Sequence, residues 1–173
     1  MINFFAKLII IFYLFVTSAA SEILKKIEIT GNKRISNETI IIFSEVNINE
    51  QINKSKLDKV IKNLYQTNFF RNISLNFENQ ILFLNVEENP IIENLEIIGI
   101  KKQSLVEFIK DKIQLAEMKS FNEELLAVDL DFINNILKTN GYYFTKISSS
   151  KSINSDLNTI DLRINIDLGE KAK

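Results

Sequence analysis

The sequence contains no cysteine, no histidine and no tryptophan. The lack of cysteine excludes disulfides and thiolate nucleophiles, and the lack of histidine removes the imidazole base and almost every zinc site. The 21 basic and 22 acidic residues nearly balance, and no basic stripe interleaved with aromatics appears, which disfavours nucleic-acid binding. The four glycines form no phosphate-binding loop. We therefore expect a non-enzymatic binding protein with no cofactor, no metal, no nucleic acid and no small-molecule substrate.

The one long apolar run lies at the N-terminus. Lys7 supplies a positive charge, residues 8–16 are apolar, and small residues lead up to Ala20. This pattern predicts a secretory signal peptide over residues 1–20, cleaved after Ala20. A retained membrane anchor is the alternative, but the run is short for a span of about 20 residues. We expect the mature chain to be exported.

Proline is almost absent, and the single Pro90 separates two copies of one pattern. Ile27-Glu-Ile-Thr-Gly31 opens the first copy and Leu95-Glu-Ile-Ile-Gly99 opens the second. Such an internal repeat predicts a modular array, with domains at residues 22–90 and 91–173. The short linker Glu88, Asn89 and Pro90 is the predicted inter-domain hinge, which would either hold the domains rigidly or let them swing.

Hydrophobic periodicity predicts the order β-α-α-β-β in each copy. In the first copy, the expected strands cover residues 24–30, 73–77 and 81–86. In the second copy, they cover residues 93–98, 142–147 and 160–168, with a polar loop over residues 148–158. Serines in capping positions predict where the helices begin, namely Ser36, Ser55, Ser104 and Ser120. Asn68 and Gly141 occupy equivalent positions and are expected to end the second helix of each copy with positive φ.

The simplest arrangement that buries the apolar faces of these helices and strands is an α+β fold. Each copy then has a three-stranded mixed sheet with two helices on one face. Phe69-Phe70 and Tyr142-Tyr143 are interpreted as core residues rather than as a binding groove. The pairs Asp129 and Asp131, and Glu87 and Glu88, have no metal-loop spacing and are interpreted as helix and strand surface.

Three stretches resemble the POTRA domain family, in particular the POTRA domains of outer-membrane assembly proteins. They are Ile27-Glu-Ile-Thr-Gly-Asn-Lys33, Leu64-Tyr-Gln-Thr-Asn-Phe-Phe-Arg-Asn-Ile73 and Val86-Glu-Glu-Asn-Pro-Ile-Ile91. The resemblance implies a module at the periplasmic face of the outer membrane that binds unfolded outer-membrane β-barrel proteins. It also implies accessory assembly lipoproteins, further POTRA domains and a barrel as partners. An anchored interaction protein of cell division or polypeptide transport, with residues 4–20 as a membrane helix, is the alternative.

By the same resemblance, the client would bind the exposed edge strand that follows the second helix. In the first copy, these residues are Arg71, Asn72, Ile73, Ser74, Leu75, Asn76 and Phe77. In the second copy, they are Thr145, Lys146, Ile147 and Ser148. A free edge presents N–H and C=O groups to an extended peptide, but a polar pattern of this kind also serves to protect an edge from aggregation.

Overall fold

The fold consists of two consecutive α+β units, which the computed structural model describes for residues 22–171. In chain order the elements are β1 (Glu22–Ile23), β2 (Lys26–Thr30), α1 (Asn37–Ser44), β3 (Gln51–Ile52), α2 (Lys54–Gln66), β4 (Phe70–Glu78), β5 (Ile81–Glu88), β6 (Ile91–Ile98), α3 (Gln103–Lys112), α4 (Glu123–Thr139), β7 (Lys146–Asn154) and β8 (Thr159–Asp167). The predicted β-α-α-β-β order is confirmed, with β1 and β3 as short additions. The signal peptide and its cleavage after Ala20 lie outside the described residues.

Each unit contains a three-stranded mixed sheet whose last strand lies in the middle. The strand order is β2-β5-β4 in the first unit and β6-β8-β7 in the second. The middle strand runs parallel to the first strand and antiparallel to the second. The predicted α+β fold with mixed sheets is therefore confirmed. Among the described residues, no helix is long and apolar enough to span a membrane.

Alternating side chains of the middle strands build the two cores. Leu82, Leu84 and Val86 of β5 are buried in the first unit, where they join helix residues such as Val60 and Leu64. In the second unit, the strongest alternation in the sequence fills the same role from β8. Its buried residues are Ile160, Leu162, Ile164 and Ile166. Each full burial of such a side chain is worth about 1.5–3 kcal/mol before entropy is counted.

Asparagine, rather than serine, caps the longer helices. Asn53 caps α2 by accepting from the Lys56 amide at 2.9 Å, and Asn122 caps α4 by accepting from the amides of Glu124 and Leu125. The two asparagines have extended backbones, which brings the short amide side chain back over the first turn. Ser36 caps α1 as predicted. The predictions for Ser55, Ser104 and Ser120 are wrong. Asparagines cap α2 and α4, and α3 has no side-chain cap.

A short segment pairs with the start of the first strand in both units. In the first unit, the Leu24 amide donates to the Glu50 carbonyl at 2.9 Å and the Asn49 amide donates to the Leu24 carbonyl at 2.7 Å. In the second unit, Ile92 exchanges equivalent bonds with residues 118–119, at 2.9 and 2.8 Å. Asn49 and Met118, at matching positions, have φ of 69° and 66°. The two units therefore share this local backbone conformation although the side chains differ.

Two carboxylates that the sequence analysis assigned to the protein surface are buried in the structure. Glu88 is 5% exposed, and its Oε1 accepts from the backbone amides of residues 33–35 at 2.8–2.9 Å. Asp129 is 1% exposed and accepts from the amides of Gln114 and Leu115. Buried carboxylates are stable when N–H donors surround them, so each holds a loop against its unit. The surface interpretation of Glu88 and Asp129 is thus wrong, whereas Glu87 lies on the surface with its side chain 52% exposed.

Replacing Glu88 by alanine should lower the free energy of unfolding by about 3 kcal/mol, because three amides lose a charged acceptor. The neighbouring Glu87 forms only an exposed pair with Arg71. Glu87→Ala should therefore stay within about 0.5 kcal/mol of the parent chain. Urea unfolding followed by circular dichroism measures both variants. Equal losses would mean that the Glu88 bonds contribute no more than a surface ion pair.

The two glycines that begin and end the helical part of the second unit should differ in their tolerance of alanine. Gly141 has φ of 90°, and a Cβ there would meet only the flexible end of Lys171 at 3.0 Å. Gly99 has φ of 98°, and a Cβ there would overlap the backbone carbonyl of Ile166. Gly141→Ala should cost about 1–2 kcal/mol from its backbone conformation. Gly99→Ala should cost clearly more, and the reverse order in urea unfolding would contradict this reading of the turns.

Candidate peptide-binding edges

The strand β4 forms one edge of the first sheet, where it pairs with β5 alone. The β4–β5 hairpin turns at Asn79 and Gln80, whose positive φ values of 52° and 66° are typical of a type I′ turn. In such a hairpin, Glu78 and Ile81 form the first hydrogen-bonded pair, and the pairs then alternate along the ladder. Every second residue of β4 therefore directs its N–H and C=O away from β5.

The outward-facing residues of β4 are Ile73, Leu75 and Phe77. One bond supports this assignment directly, since the Ile73 amide donates to the Tyr65 hydroxyl of α2 at 3.2 Å. The side chains of these three residues face the helices and pack in or against the core. The outer N–H and C=O groups thus belong to residues whose side chains anchor the strand.

The predicted client residues of the first unit all lie in β4. A bulge interrupts the pairing with β5 between Phe70 and Asn72, so Arg71 has no direct partner across the ladder. The side chains of Ser74 and Asn76 are exposed on the face opposite the helices. The structure therefore brings residues 71–77 together on one edge, and client binding by them stays a prediction.

The strand β7 forms the corresponding edge of the second sheet, where it pairs with β8 alone. Lys146, Ile147 and Ser148 lie in this strand, but Thr145 precedes it. The Thr145 hydroxyl instead donates to the Tyr142 carbonyl at 3.1 Å, in the turn that follows α4. The expectation that Thr145 is a strand residue is therefore wrong.

Residues 148–154 were expected to form a polar loop, and this expectation is also wrong. The strand β7 continues to Asn154 and the turn covers only residues 155–158. The serine-rich run forms its ladder through backbone groups, which do not require apolar side chains at an edge. Lys151 lies opposite the buried Leu162, contacts Glu123 and extends over the Phe121 ring. A charge of this kind, turned toward the helix layer, is one way in which proteins protect an edge.

The opposite edge of the second sheet, β6, is covered from Ile91 to Leu95. The start of β6 pairs with residues 118–120, through the bonds of Ile92 and a bridge between Ile91 and Ser120. Further along, the Leu95 amide donates to Glu117 Oε1 at 3.2 Å, and Lys110 Nζ donates to the Leu95 carbonyl at 2.7 Å. Side chains and a loop therefore occupy outer backbone groups at Ile91, Ile92 and Leu95 of β6, whereas β7 is nine residues long and is paired on one side only.

The predicted hinge residues lie in a hydrogen-bonded junction. Asn89 is 6% exposed; its amide donates to the Phe69 carbonyl at 2.7 Å, and its side chain donates to the Asn68 carbonyl at 2.9 Å. The Pro90 carbonyl accepts from the Phe121 amide at 2.7 Å. These bonds hold Asn89 to the first unit and Pro90 to the second. Hinge motion at Glu88, Asn89 and Pro90 stays a prediction.

Two asparagines that sequence analysis did not single out connect the units at this junction. Asn158 donates from Nδ2 to the carbonyls of Glu88 and Asn89 at 3.3 Å, and its own carbonyl accepts from the Ile91 amide at 3.0 Å. Asn122 donates to Asn68 Oδ1 at 3.1 Å. Nothing in the local pattern separates these residues from the many other asparagines. Their role depends on how the two units pack.

Ion pairs with lysines of α2 lower the pKa of two carboxyl groups of the first unit. A hydrogen bond from Lys59, at 2.8 Å, lowers the pKa of Glu45, and one from Lys56 lowers the pKa of Glu50. These ion pairs join the end of α1 and the next loop to α2, and they do not involve β4 or β7. Within residues 22–171, no cluster of three or more acidic side chains is arranged to hold a metal ion.

Phe70 is buried, and Phe69 packs edge-on against it with the ring centroids 6.2 Å apart, as the core interpretation requires. At the equivalent position of the second unit, Tyr142 packs against the core but Tyr143 is 59% exposed. The core interpretation therefore holds for three of these four aromatic residues and is wrong for Tyr143.

Comparison with known proteins agrees with this architecture. Residues 90–169 match the POTRA family model, described as a surface antigen variable number repeat. The chain is 27% identical to the outer membrane protein assembly factor BamA of Buchnera aphidicola over 180 aligned residues, which cover 99% of this chain and 28% of that protein. It is 26% identical to BamA of Neorickettsia risticii, over 82% of this chain and 19% of that protein. The chain thus spans less than a third of the length of these relatives.

Solved structures share the fold. The N-terminal domain of Omp85 from Thermosynechococcus elongatus has a TM-score of 0.56 at 14% identity, covering 85% of this chain and 63% of that one. The first two POTRA domains of Omp85 from Anabaena have a TM-score of 0.51 at 13% identity, covering 88% of this chain and 100% of that one. Residues 90–169 therefore match the POTRA family model, the chain is similar in sequence to part of BamA, and the described residues have the fold of the tandem POTRA domains of Omp85.

Proposed function

We propose that this chain is a periplasmic POTRA module of the outer-membrane β-barrel assembly machinery, which binds unfolded outer-membrane protein precursors and delivers them for insertion. One observation carries the proposal, namely that β4 and β7 are long edge strands paired on one side only. A precursor would add to either edge as a further strand. The relatives named BamA support the assembly role, although the chain covers only part of their length.

Strand addition suits a set of clients that share little sequence. The main-chain N–H and C=O groups supply the affinity, and they are the same in every polypeptide. Precursors of β-barrels consist of segments with alternating polarity, and these are already suited to an extended conformation. On β4 the outward groups belong to Ile73, Leu75 and Phe77, whose side chains fix the strand from the helix side. The edge is therefore both rigid and open to pairing.

A further POTRA domain is a proposed partner at the far end of the second unit. Gly31 lies against the Val86 carbonyl and Gly99 against the Ile166 carbonyl, so the ends of the two sheets are equivalent. The sheet end at Gly31 contacts the second unit. The sheet end at Gly99 lines a cavity of about 620 Å³ and lies near the exposed Tyr143. Accessory lipoproteins and a barrel are proposed partners by the same family relationship.

The proposed location is the periplasmic face of the outer membrane. An antibody against residues 22–171 should detect the protein in the outer-membrane fraction of the source cells, with the chain beginning at Ser21 by N-terminal sequencing. A protein that retains residues 4–20 and fractionates with the inner membrane would favour the anchored interaction protein of cell division or polypeptide transport instead.

Strand addition is tested by removing one outward N–H from β4. In Leu75→Pro the chain loses this donor and part of a side chain, whereas Leu75→Ala loses only the side chain. A fluorescein-labelled peptide of alternating valine and threonine serves as the probe in fluorescence anisotropy. Leu75→Pro should weaken binding roughly five- to tenfold, the equivalent of about one hydrogen bond, and Leu75→Ala should leave binding unchanged.

Ser74→Pro is the matched control for folding. Ser74 lies opposite Asn85 in a pair that hydrogen-bonds to β5, so proline there should lower thermal stability by disrupting the sheet. If Leu75→Pro lowers the melting temperature as much as Ser74→Pro does, or if Leu75→Ala binds as weakly as Leu75→Pro, the proposed edge on β4 is wrong.

A further inference from the structure

The two free edges run in opposite senses relative to the junction between the units. Strand β4 begins at the junction with Phe70 and runs away from it to Glu78. Strand β7 begins at the far end of the second unit with Lys146 and runs toward the junction, where it ends at Asn154. A single extended chain that passes along β4 toward the junction and continues along β7 away from it would therefore be antiparallel to both strands.

The junction ends of the two edges lie next to each other. Arg71 and Asn72 at the start of β4 line one cavity, of about 430 Å³, together with Ile153 at the end of β7. On the helix side, Lys151 of β7 contacts Glu123. Glu123 in turn lines a second cavity with Phe70 and Arg71. Residues of β5, of the loop after β2 and of the turn after β7 complete the first cavity, and residues of α2, the linker and the start of α4 complete the second.

We propose that β4 and β7 form one composite binding track, which pairs with a single polypeptide segment in a defined direction. The N-terminal half of the segment lies antiparallel to β4 and its C-terminal half lies antiparallel to β7. This inference rests on the proposed function, since it requires that the edges bind peptide. Antiparallel pairing is favoured because its hydrogen bonds are direct, whereas parallel bonds are slanted and slightly weaker.

Charge at the two far ends favours the same direction. Glu78 ends β4 and is exposed, so it attracts the free amino group of a bound peptide. Lys146 begins β7 and is exposed, so it attracts the free carboxylate at the other end of that peptide. The nine residues of β7 contain Lys146 and Lys151 and no acidic residue. A segment bound in the opposite direction would place its amino group beside Lys146.

A composite track predicts a dependence on peptide length. The strands β4 and β7 have nine residues each, so a segment of about twenty residues is needed to reach the ends of both. Once one half is bound, the other half binds intramolecularly at a high effective concentration. A peptide that covers both edges should therefore bind at least about tenfold more tightly than a peptide that covers one.

Because the chain has no cysteine, single thiols can report the direction of binding. Asn76→Cys places a thiol on the exposed face of β4, and Ser150→Cys places one on β7. The probe is a valine–threonine peptide long enough for both edges, with one cysteine near either its N-terminus or its C-terminus. Disulfides form in a glutathione redox buffer and are quantified by mass spectrometry. Glu96→Cys on β6, the strand whose first half is covered by residues 117–120 and Lys110, is the control position.

Asn76→Cys should cross-link mainly to the peptide with the N-terminal cysteine, and Ser150→Cys to the peptide with the C-terminal cysteine. Each preference should be about tenfold, and Glu96→Cys should cross-link to neither. Equal or reversed preferences, or a half-length peptide that binds as tightly as the full one, would overturn the composite track while leaving peptide binding intact. No cross-link with either peptide at positions 76 and 150 would overturn the proposed function, and the track with it.

Discussion

Placing the last strand of each unit in the middle of its sheet is the constraint on which the other features depend. The middle strand, β5 or β8, takes the buried alternating residues, because it alone is paired on both sides. The strand before it is joined to it by a tight hairpin and must therefore lie at the edge. The first strand takes the other edge, and in both units its start is paired with a short loop segment. One long edge per unit then stays open, so the binding surface is a consequence of the topology rather than of any particular side chain.

The junction between the units depends on a second constraint, which is the need to satisfy polar groups that packing removes from water. Glu88 lies at the end of β5, where its carboxylate accepts hydrogen bonds from three backbone amides of the loop after β2. Its backbone carbonyl accepts from Asn158 of the other unit. One residue therefore fixes the first unit internally and also contacts the second. At the equivalent end of the second unit, Leu168 follows Asp167, so no carboxylate repeats this role. The two units thus share a fold but do not share the chemistry of their ends.

The elements with strong periodicity could be predicted from the sequence, and the elements that depend on packing could not. The alternation in β5 and β8, the α2 and α4 stripes, and the positive φ at Asn68 and Gly141 all follow from local pattern. The serine-rich part of β7 has no such pattern, because an edge strand can form its ladder with polar side chains. The sequence around Asp129 is typical of a surface position on a helix. Its burial is favourable only because amides of the loop after α3 donate to its carboxylate. The edge position of residues 71–77 was expected from the family resemblance rather than from local pattern, and the strand order β2-β5-β4 agrees with it, whereas client binding by these residues stays a prediction.

The same features that leave the edges open also limit how tightly they can hold a peptide. On β4, the Tyr65 hydroxyl already accepts from the Ile73 amide, so a bound strand must replace this bond rather than gain a new one. On β7, Lys151 faces the helix layer at a position where an apolar side chain would let the edge bind a peptide more tightly. Replacing an existing hydrogen bond returns little net free energy, because the donor was not unsatisfied before binding. Each edge alone should therefore bind weakly and release readily. Useful affinity would come from engaging both edges together, which allows a client to be held firmly while every individual contact stays reversible.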